Sequence, residues 1–285
     1  MSGRAARRPP RLPAAAPPTP RVTEPTPRQA LVRGHATGGQ PGRRRDQVLG
    51  HLRRLVTGDR RSLVGFPRFA GITVEEVLDA LEAVWGWAPA DEHVAIDPNR
   101  TLAGAHAAFT RIGAVADTGG RIAFATASPA SFLELHRVIA GLTAQAGAAV
   151  VTAEETPVLR IDGHPGRRIW WIGGVAALTD GSSLLATAAA ECGDEVLFEL
   201  SARPDLLVGD GVFAAAALRA GIPAVALAGL ESMVFGVAAR RGAPVTVVPL
   251  DETRPPAAYS ALEDLAAAAL RPGSGWRTNH TDVPG

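Results

Sequence analysis

The strongest constraint on the fold is an alternation of short apolar runs with helix-forming segments between residues 121 and 270. Two of the runs, "IPAVAL" at 222–227 and "PVTVVPL" at 244–250, offer apolar side chains to both faces of a strand. Strands of this kind are typical of a parallel sheet that helices cover on both sides. The sequence therefore predicts a doubly wound α/β domain, three-layered and Rossmann-like, with a mostly parallel sheet.

Apolar periodicity and capping residues divide the chain into elements. Helices are predicted over residues 46–58, 74–85, 101–116, 128–147, 183–192, 213–220, 231–240 and 256–270. Strands are predicted over residues 121–126, 148–152, 205–209, 223–227 and 244–249. The segment "RRIWWIGGVAALTDGSS" at 167–183 has a glycine pair between two apolar runs. This pattern indicates an antiparallel hairpin at an edge of the sheet, or a small flap.

The N-terminal segment, residues 1–45, differs in composition from the rest of the chain. It holds ten arginines and one acid, Glu24, and so carries +9; the whole chain carries +1, which leaves +1 − 9 = −8 for residues 46–285. Its proline and arginine content, without apolar periodicity, predicts a disordered tail. The tail is a solubilising extension, or the result of an early start codon, or a loose attachment to nucleic acid or an acidic partner through counterion release. A single domain is expected over 46–270, with a frayed tail at 271–285.

Composition excludes several kinds of chemistry. The chain has no lysine, since all 29 basic residues are arginine, so neither a pyridoxal phosphate Schiff base nor a Walker-type loop is possible. A single cysteine, Cys192, and histidines without zinc-helix spacing argue against zinc. "GDGVFAAA" is only a partial NAD fingerprint. The acidic body argues against nucleic acid as its ligand.

Membrane insertion and secretion are also not expected from the sequence. No apolar run reaches the ~18 residues of a membrane span. The N-terminus lacks the apolar core of a secretory signal. We expect a cytoplasmic protein; its oligomeric state is left open.

Three polar turns follow strand-like segments, at the place where a doubly wound sheet binds its ligand, although "EHVAI" before the first turn is a poor central strand. The turns are "IDPNRTL" with Asp97 and Arg100, "FATASPAS" with Thr126 and Ser128, and "VGDGVF" with Gly209, Asp210 and Gly211. Backbone amides at 128–131 together with the helix dipole favour a phosphate, although Ser128 before Pro129 also fits an ordinary helix cap. Asp210 is either a magnesium or water ligand, or a carboxylate that caps the next helix.

Further candidates for proton transfer lie near the same edge of the sheet. Glu154 and Glu155 follow the strand predicted at 148–152. His164 lies in the turn "IDGHPG" and could face the site from the flap. Each of the three is a possible acid or base.

The order of the three turns resembles that of the haloacid dehalogenase phosphatases. This resemblance implies that "DPNRTL" supplies the nucleophile Asp97, with Asn99 at the acid/base position. It implies a phosphate-binding hydroxyl at Thr126 and a magnesium ligand at Asp210. The chain departs from the pattern because Asn99 cannot transfer a proton and because no lysine is present.

A closer resemblance covers about residues 47–265 and is to a family of actinobacterial phosphatases. It is carried by the stretches "IDPNRTLAG", "SPASFLELHRVIAGLTAQAGAAVVT", "PDLLVGDGVFAAAALRAGIPAVALAG" and "GAPVTVVPLDETRPPAAYSAL". Asp97, Thr126 and Asp210 match the family, and the resemblance implies phosphomonoester hydrolysis. Ser128 and Gly211 stand where the family has histidines, so side chains that bind metals or transfer protons are missing.

Three functions remain open from the sequence. The leading hypothesis is a phosphatase for a small phosphorylated metabolite, in which Asp97 and Asp210 hold magnesium or one of them acts as nucleophile. The second is a non-catalytic paralogue that binds a metabolite or a protein partner. The third is a phosphosugar isomerase-like domain with Glu154 or Glu155 as base. A short distance between Asp97 and Asp210 would favour the first, and a long distance would favour the second.

Overall fold

The structure is a computed structural model that describes residues 25–38, 44–66, 71–91, 94–153, 158–161 and 164–271. Within these ranges the helices are α1 (Pro27–Gly34), α2 (Arg45–Val56), α3 (Val74–Ala80), α4 (Pro98–Asp117), α5 (Pro129–Gln145), α6 (Ala190–Glu199), α7 (Gly211–Arg219), α8 (Val234–Arg240) and α9 (Ser260–Leu270). A π-helical turn extends α3 over Leu81–Trp85, and 3₁₀ turns span Leu230–Ser232 and Pro256–Tyr259. Every helix in these ranges is too short or too polar to cross a membrane.

The strands form one sheet. They are β1 (Arg121–Thr126), β2 (Ala149–Val150), β3 (Val158–Ile161), β4 (His164–Ile172), β5 (Val175–Thr179), β6 (Leu184–Leu185), β7 (Leu206–Asp210), β8 (Ala224–Ala228) and β9 (Val245–Pro249). The order is β3-β4-β5-β1-β7-β8-β9, with β2 also paired to β1 and β6 to β5. The pairs of β1 with β2, β5 and β7, and of β8 with β7 and β9, are parallel. The predicted mostly parallel sheet is confirmed.

The predicted antiparallel hairpin is confirmed as β4–β5, joined by Gly173 and Gly174. Their φ angles of 58° and 84° suit the tight turn that a twisted hairpin requires. The hairpin is not a separate flap, because β5 also pairs with the central strand β1. It therefore extends the main sheet with an antiparallel part.

Helices cover both faces of the sheet, as the alternation along β1 shows. Ile122 and Phe124 belong to the core that includes residues of α1, α4, α5 and α9. Ala123 and Ala125 belong to the core on the opposite face, which includes residues of α6 and α7. The arrangement is the predicted three-layer α/β fold, with large side chains on one face of β1 and small ones on the other.

Residues 25–38 depart from the disordered tail expected over 1–45. Thr26 accepts a hydrogen bond from the Gln29 backbone N–H, and the Gln29 side chain accepts one from the Thr26 N–H, so a capping box starts α1. Leu31 and Ala36 are fully buried in the main core. These apolar residues are too few to show a helical period among the surrounding arginines and prolines, so the sequence did not predict α1. Residues 1–24, 39–43 and 272–285 lie outside the described residues.

The prediction of a helix over residues 183–192 is wrong for most of that range. Leu184–Leu185 pair with β5, and the helix begins only at Ala190. Between them, the Thr187 N–H donates to the Ala127 carbonyl at 2.9 Å, and the Thr187 hydroxyl accepts from the Ala189 N–H at 3.2 Å. These bonds hold residues 186–189 across the end of β1, where local helix propensity is overridden.

We expect Gly104→Ala to destabilise the fold and Gly141→Ala to stabilise it. A Cβ at Gly104 would lie 2.5 Å from the Val247 carbonyl oxygen and 2.9 Å from Pro249 Cδ, so α4 would have to move away from β9. Such overpacking costs about 1–3 kcal/mol. Gly141 has open space around it in α5, where alanine is favoured by up to about 1 kcal/mol. Urea unfolding measures both; equal stability of the two variants would contradict the close α4–β9 contact.

Candidate functional site

A cavity of about 630 Å³ opens at the carboxyl ends of β1, β7 and β8. The connections leave β1 and β7 in opposite directions, since β1 leads through α5 to β2 and β7 leads through α7 to β8. The cavity therefore lies at the topological switch point, where doubly wound sheets bind ligands. Its described walls are formed by His51, Arg54, Asp59, Arg61, Ser62, Val64, Ala127, Ser128, Thr187, Ala188, Asp210, Gly211, Val212, Glu231, Ser232 and Glu252.

Asp210 lies at the inner end of this cavity and is only 1% exposed. One carboxylate oxygen, Oδ2, accepts a hydrogen bond from the Ala127 N–H at 3.1 Å. The other, Oδ1, lies 3.3 Å from Nε2 of His136. Although Asp210 occupies the N-cap position of α7, its side chain makes no capping bond. The carboxylate instead ties β7 to the turn after β1 and to α5.

His136, which pairs with Asp210, is a functional candidate that the sequence did not reveal. Its side chain is fully buried on α5, next to the ring of Phe132. Because an ionised carboxylate only accepts, Nε2 carries the proton in the Asp210 bond. Nδ1 is buried with no hydrogen-bond partner among the described residues. In the sequence this histidine follows the apolar periodicity of α5, which indicates packing and gives no sign of an aspartate partner.

The turn after β1 uses most of its own hydrogen-bonding groups. Thr126 is fully buried, and its hydroxyl accepts from the Ser128 N–H at 3.1 Å. Pro129 has no N–H, and the Ser131 N–H donates to the Ser128 carbonyl at 3.0 Å. Of the four positions predicted to hold a phosphate, at most Ala130 can offer an N–H. Ser128 itself lines the cavity, and its side chain makes no helix-capping bond.

Two glycines let the turns after β1 and β7 approach one another. A Cβ at Gly209 would lie 2.8 Å from the Ala125 carbonyl oxygen. Gly211 has φ +51°, and a Cβ there would lie 2.9 Å from that of Ala127. Both positions require glycine on steric grounds, and Gly211 also lines the cavity.

The opposite wall comes from α2 and the turn that follows it. Arg54 Nη2 lies 2.8 Å from His51 Nδ1. Since a guanidinium can only donate, this nitrogen is the acceptor and is unprotonated. His51 Nε2 lies 3.6 Å from a carboxylate oxygen of Glu231, which follows β8. An Arg–His–Glu chain thus links α2 to the sheet.

The turn after α2 adds an acid and a second arginine. The Asp59 carboxylate accepts from the Ser62 N–H at 3.0 Å and from the Ser62 hydroxyl at 3.2 Å. The backbone bond from Ser62, with a smaller share from its hydroxyl, holds the pKa of Asp59 below its usual range. Arg61 lines the cavity beside them. The sequence predicted a helix over 46–58 but no functional residue here, since nothing local shows that this segment covers the site.

Val64, on the same wall, has φ +42°. A β-branched residue in this region is strained, and such strain persists only where the surroundings impose it. The wall is therefore held in a conformation that its local sequence does not prefer.

Asp97 and Arg100 are not among the described residues that line the cavity. Asp97 caps α4, because its carboxylate accepts a hydrogen bond from the Asn99 N–H at 2.8 Å. Its Cβ packs against Gly86, where an added Cβ would lie only 2.6 Å away. Arg100 is exposed on α4. The described residues directly before Asp97, 94–96, are not a strand of the sheet. The structure thus brings Ser128, Asp210 and Gly211 to one cavity and leaves Asp97 outside it.

The side chains of three other predicted site residues are not described by the structure. Glu154 and Glu155 lie outside the described residues. His164 begins β4, where its backbone pairs with Ile161, and its side chain is not among the described ones. Their role as acid or base remains a prediction from the sequence.

A magnesium site built on Asp97 and Asp210 does not fit the described donors. Asp210 lines the cavity, but Asp97 is not among the described residues that line it, so the two carboxylates do not share one site there. Across the described ranges, no three or more His, Cys, Asp and Glu side chains cluster in a way that could hold a metal ion. Magnesium stays a prediction from the sequence.

Comparisons with known proteins support the resemblance seen in the sequence. The family model described as Phosphatase matches residues 25–270, a range that includes α1. A protein named Phosphatase SCO2771, from Streptomyces coelicolor (strain ATCC BAA-471 / A3(2) / M145), is 29% identical over 217 residues. The match covers 73% of this chain and 81% of that relative. Both findings confirm the expected likeness to actinobacterial phosphatases.

Proposed function

Because this chain belongs to the Phosphatase family, we propose that it hydrolyses phosphate monoesters of small metabolites in the switch-point cavity. The observation that carries the proposal is the cavity itself, whose described lining includes two arginines and three acids besides the buried carboxylate at its inner end. Its volume of about 630 Å³ lies within the range of about 300–1,000 Å³ that is usual for small-molecule sites. A small phosphorylated molecule is therefore the substrate class.

The phosphate is held between the two walls. Arg54 and Arg61 face the cavity from the α2 side, and guanidinium groups suit phosphate oxygens because they form paired, charge-assisted hydrogen bonds. On the other side, Ser128 and Gly211 mark the N-termini of α5 and α7. The positive ends of these helix dipoles favour an anion in the same place.

In this proposal the water oxygen bonds to phosphorus while the bond from phosphorus to the ester oxygen breaks. Asp210 accepts the proton that the water loses and passes it to the departing ester oxygen, which leaves as the alcohol. A carboxylate oxygen has two lone pairs, so each oxygen keeps one after bonding to Ala127 or His136. These two donors fix the orientation of the carboxylate, and His136 carries no other described hydrogen bond. A base that is held in this way needs no reorientation when the water loses its proton.

The test is phosphate release by the full chain. The panel contains phenyl phosphate, sugar phosphates and nucleoside monophosphates, each with magnesium and with a chelator. Arg61→Gln is expected to raise KM about 10-fold or more, because a charge-assisted hydrogen bond to phosphate contributes about 1.5–3 kcal/mol. The control is Arg53→Gln, an exposed arginine of α2 that does not line the cavity, and its KM should equal that of the wild type.

The outcomes separate the proposal from its rivals. A folded protein that releases no phosphate from any substrate would be the non-catalytic paralogue. Interconversion of sugar phosphates without phosphate release would point to the isomerase-like function. Release that depends equally on Arg53 and Arg61 would contradict phosphate binding in this cavity.

A further inference from the structure

A second cavity, of about 650 Å³, adjoins the first. Arg61, Thr187 and Ala188 line both cavities, so the two are neighbours along one cleft. The second cavity lies between the turn after α2, strand β4 and the start of α6. Nothing in the proposed hydrolysis uses it.

Three arginines give this second cavity its charge. Arg60 and Arg61 come from the turn after α2, and Arg167 comes from β4, more than a hundred residues later in the chain. Their guanidinium groups form no ion pair or hydrogen bond with any residue in the described ranges. Among the described wall residues, Glu191 is the one acid. Three cations that converge on one cavity repel one another and raise the local concentration of anions.

The backbone adds to the positive electrostatic potential of the second cavity. The N-terminus of α6, a ten-residue helix, lies on the wall through Ala189 and Ala190. Its positive dipole end favours an anion within the first turn of the helix. The arginines and the helix end are independent features, and both favour a negatively charged group.

We propose that the second cavity is a subsite for a second phosphate group of the substrate. The proposal rests on the proposed phosphatase function of the first cavity. Arg61, which lines both cavities, lies between the phosphate that is hydrolysed and the phosphate that is only held. The substrate class is accordingly a small metabolite with two phosphate groups, and Arg60 and Arg167 determine that specificity.

The test compares bisphosphates with matched monophosphates at constant ionic strength, so that screening does not differ between them. Alkanediol bisphosphates from ethane-1,2-diyl to hexane-1,6-diyl vary the spacing between the phosphates, and the alkyl monophosphates are their controls. The best bisphosphate should have a KM at least about 10-fold below that of its monophosphate. A phosphoalkanoate of the same length shows whether a carboxylate serves as well.

Arg167→Gln should remove this advantage and leave the KM and kcat for phenyl phosphate unchanged, because phenyl phosphate has no second anion. Arg60→Gln should act in the same direction, and Arg53→Gln should change neither KM. An equal KM for bisphosphates and monophosphates in the wild type would overturn the proposal. So would an Arg167→Gln variant that still prefers bisphosphates.

Failure of the proposed function has a different signature. If no substrate is hydrolysed, calorimetry of the same pairs measures binding alone. Tighter binding of the bisphosphate that is lost in Arg167→Gln still supports the second subsite. Equal binding of the two ligands overturns it.

Discussion

Asp210→Asn should lower kcat for phosphate release about 100-fold or more, with little change in KM. A positioned proton acceptor typically contributes about 10²–10⁴-fold to the rate. An amide cannot take the proton of the attacking water. The phosphate would still be bound by Arg54, Arg61 and the helix N-termini, so the loss falls on kcat.

The fold should survive this substitution. The asparagine carbonyl can accept from the Ala127 N–H as the carboxylate does. Its NH₂ group then faces His136 Nε2, which becomes an acceptor when the imidazole proton moves to Nδ1. Because Nδ1 has no described partner, this exchange buries an unpaired N–H and costs about 1–3 kcal/mol, which the fold can tolerate. Circular dichroism and urea unfolding check that the variant is folded before its rate is measured.

Two further variants are compared with Asp210→Asn, one as a control and one as a test of the alternative nucleophile. Asp264→Asn makes the same chemical change on the exposed side of α9 and should leave kcat unaltered. Asp97→Asn separates the structure from the haloacid dehalogenase resemblance, which makes Asp97 the nucleophile. Loss of activity in Asp97→Asn with full activity in Asp210→Asn would refute the site described above.

His136→Leu should reduce the free energy of unfolding by about 3 kcal/mol at pH 7. Removing one member of a buried, hydrogen-bonded pair leaves the other without a partner, which typically costs about 3–5 kcal/mol. Here Asp210 keeps the bond from Ala127, so the lower end of that range applies. Urea unfolding measures the change.

A double-mutant cycle with Asp210→Asn identifies the cause. The neutral amide tolerates the loss of its partner better than a buried carboxylate does, so His136→Leu should cost about 1–3 kcal/mol less in the Asp210→Asn background. Purely additive effects would show that the His136 substitution acts by altered packing around Phe132 and that the pair with Asp210 contributes little.

The fold could be predicted from the sequence because its signals are local. The apolar runs that became β1, β7, β8 and β9 lie within one residue of the predicted strands, and Gly173–Gly174 marks the hairpin. The predictions from the sequence failed where contacts between distant parts of the chain determine the local structure. Leu31 is buried by α1 packing in a segment whose composition indicated disorder, and Thr187 is held across the end of β1.

The candidate site could be predicted only in part. The rule that ligands bind at the carboxyl ends of parallel strands located Ser128, Asp210 and Gly211 correctly at one cavity. It also selected Asp97, although the run "EHVAI" before it is a poor central strand. Arg54 and Arg61 were missed, since the contact between α2 and the sheet edge depends on the packing of distant segments.

The two walls of the first cavity come from separate parts of the chain, and one of them comes from its N-terminal quarter. One wall ends at Val64, and the other begins at Ala127. Under the proposed function, an anion bound in the cavity contacts both walls and adds RT ln(1 + [L]/Kd) to the free energy of separating them, about 2.7 kcal/mol at a hundred times Kd. We therefore expect a bound phosphorylated metabolite to slow proteolysis between α2 and α3, to a degree that rises with its concentration.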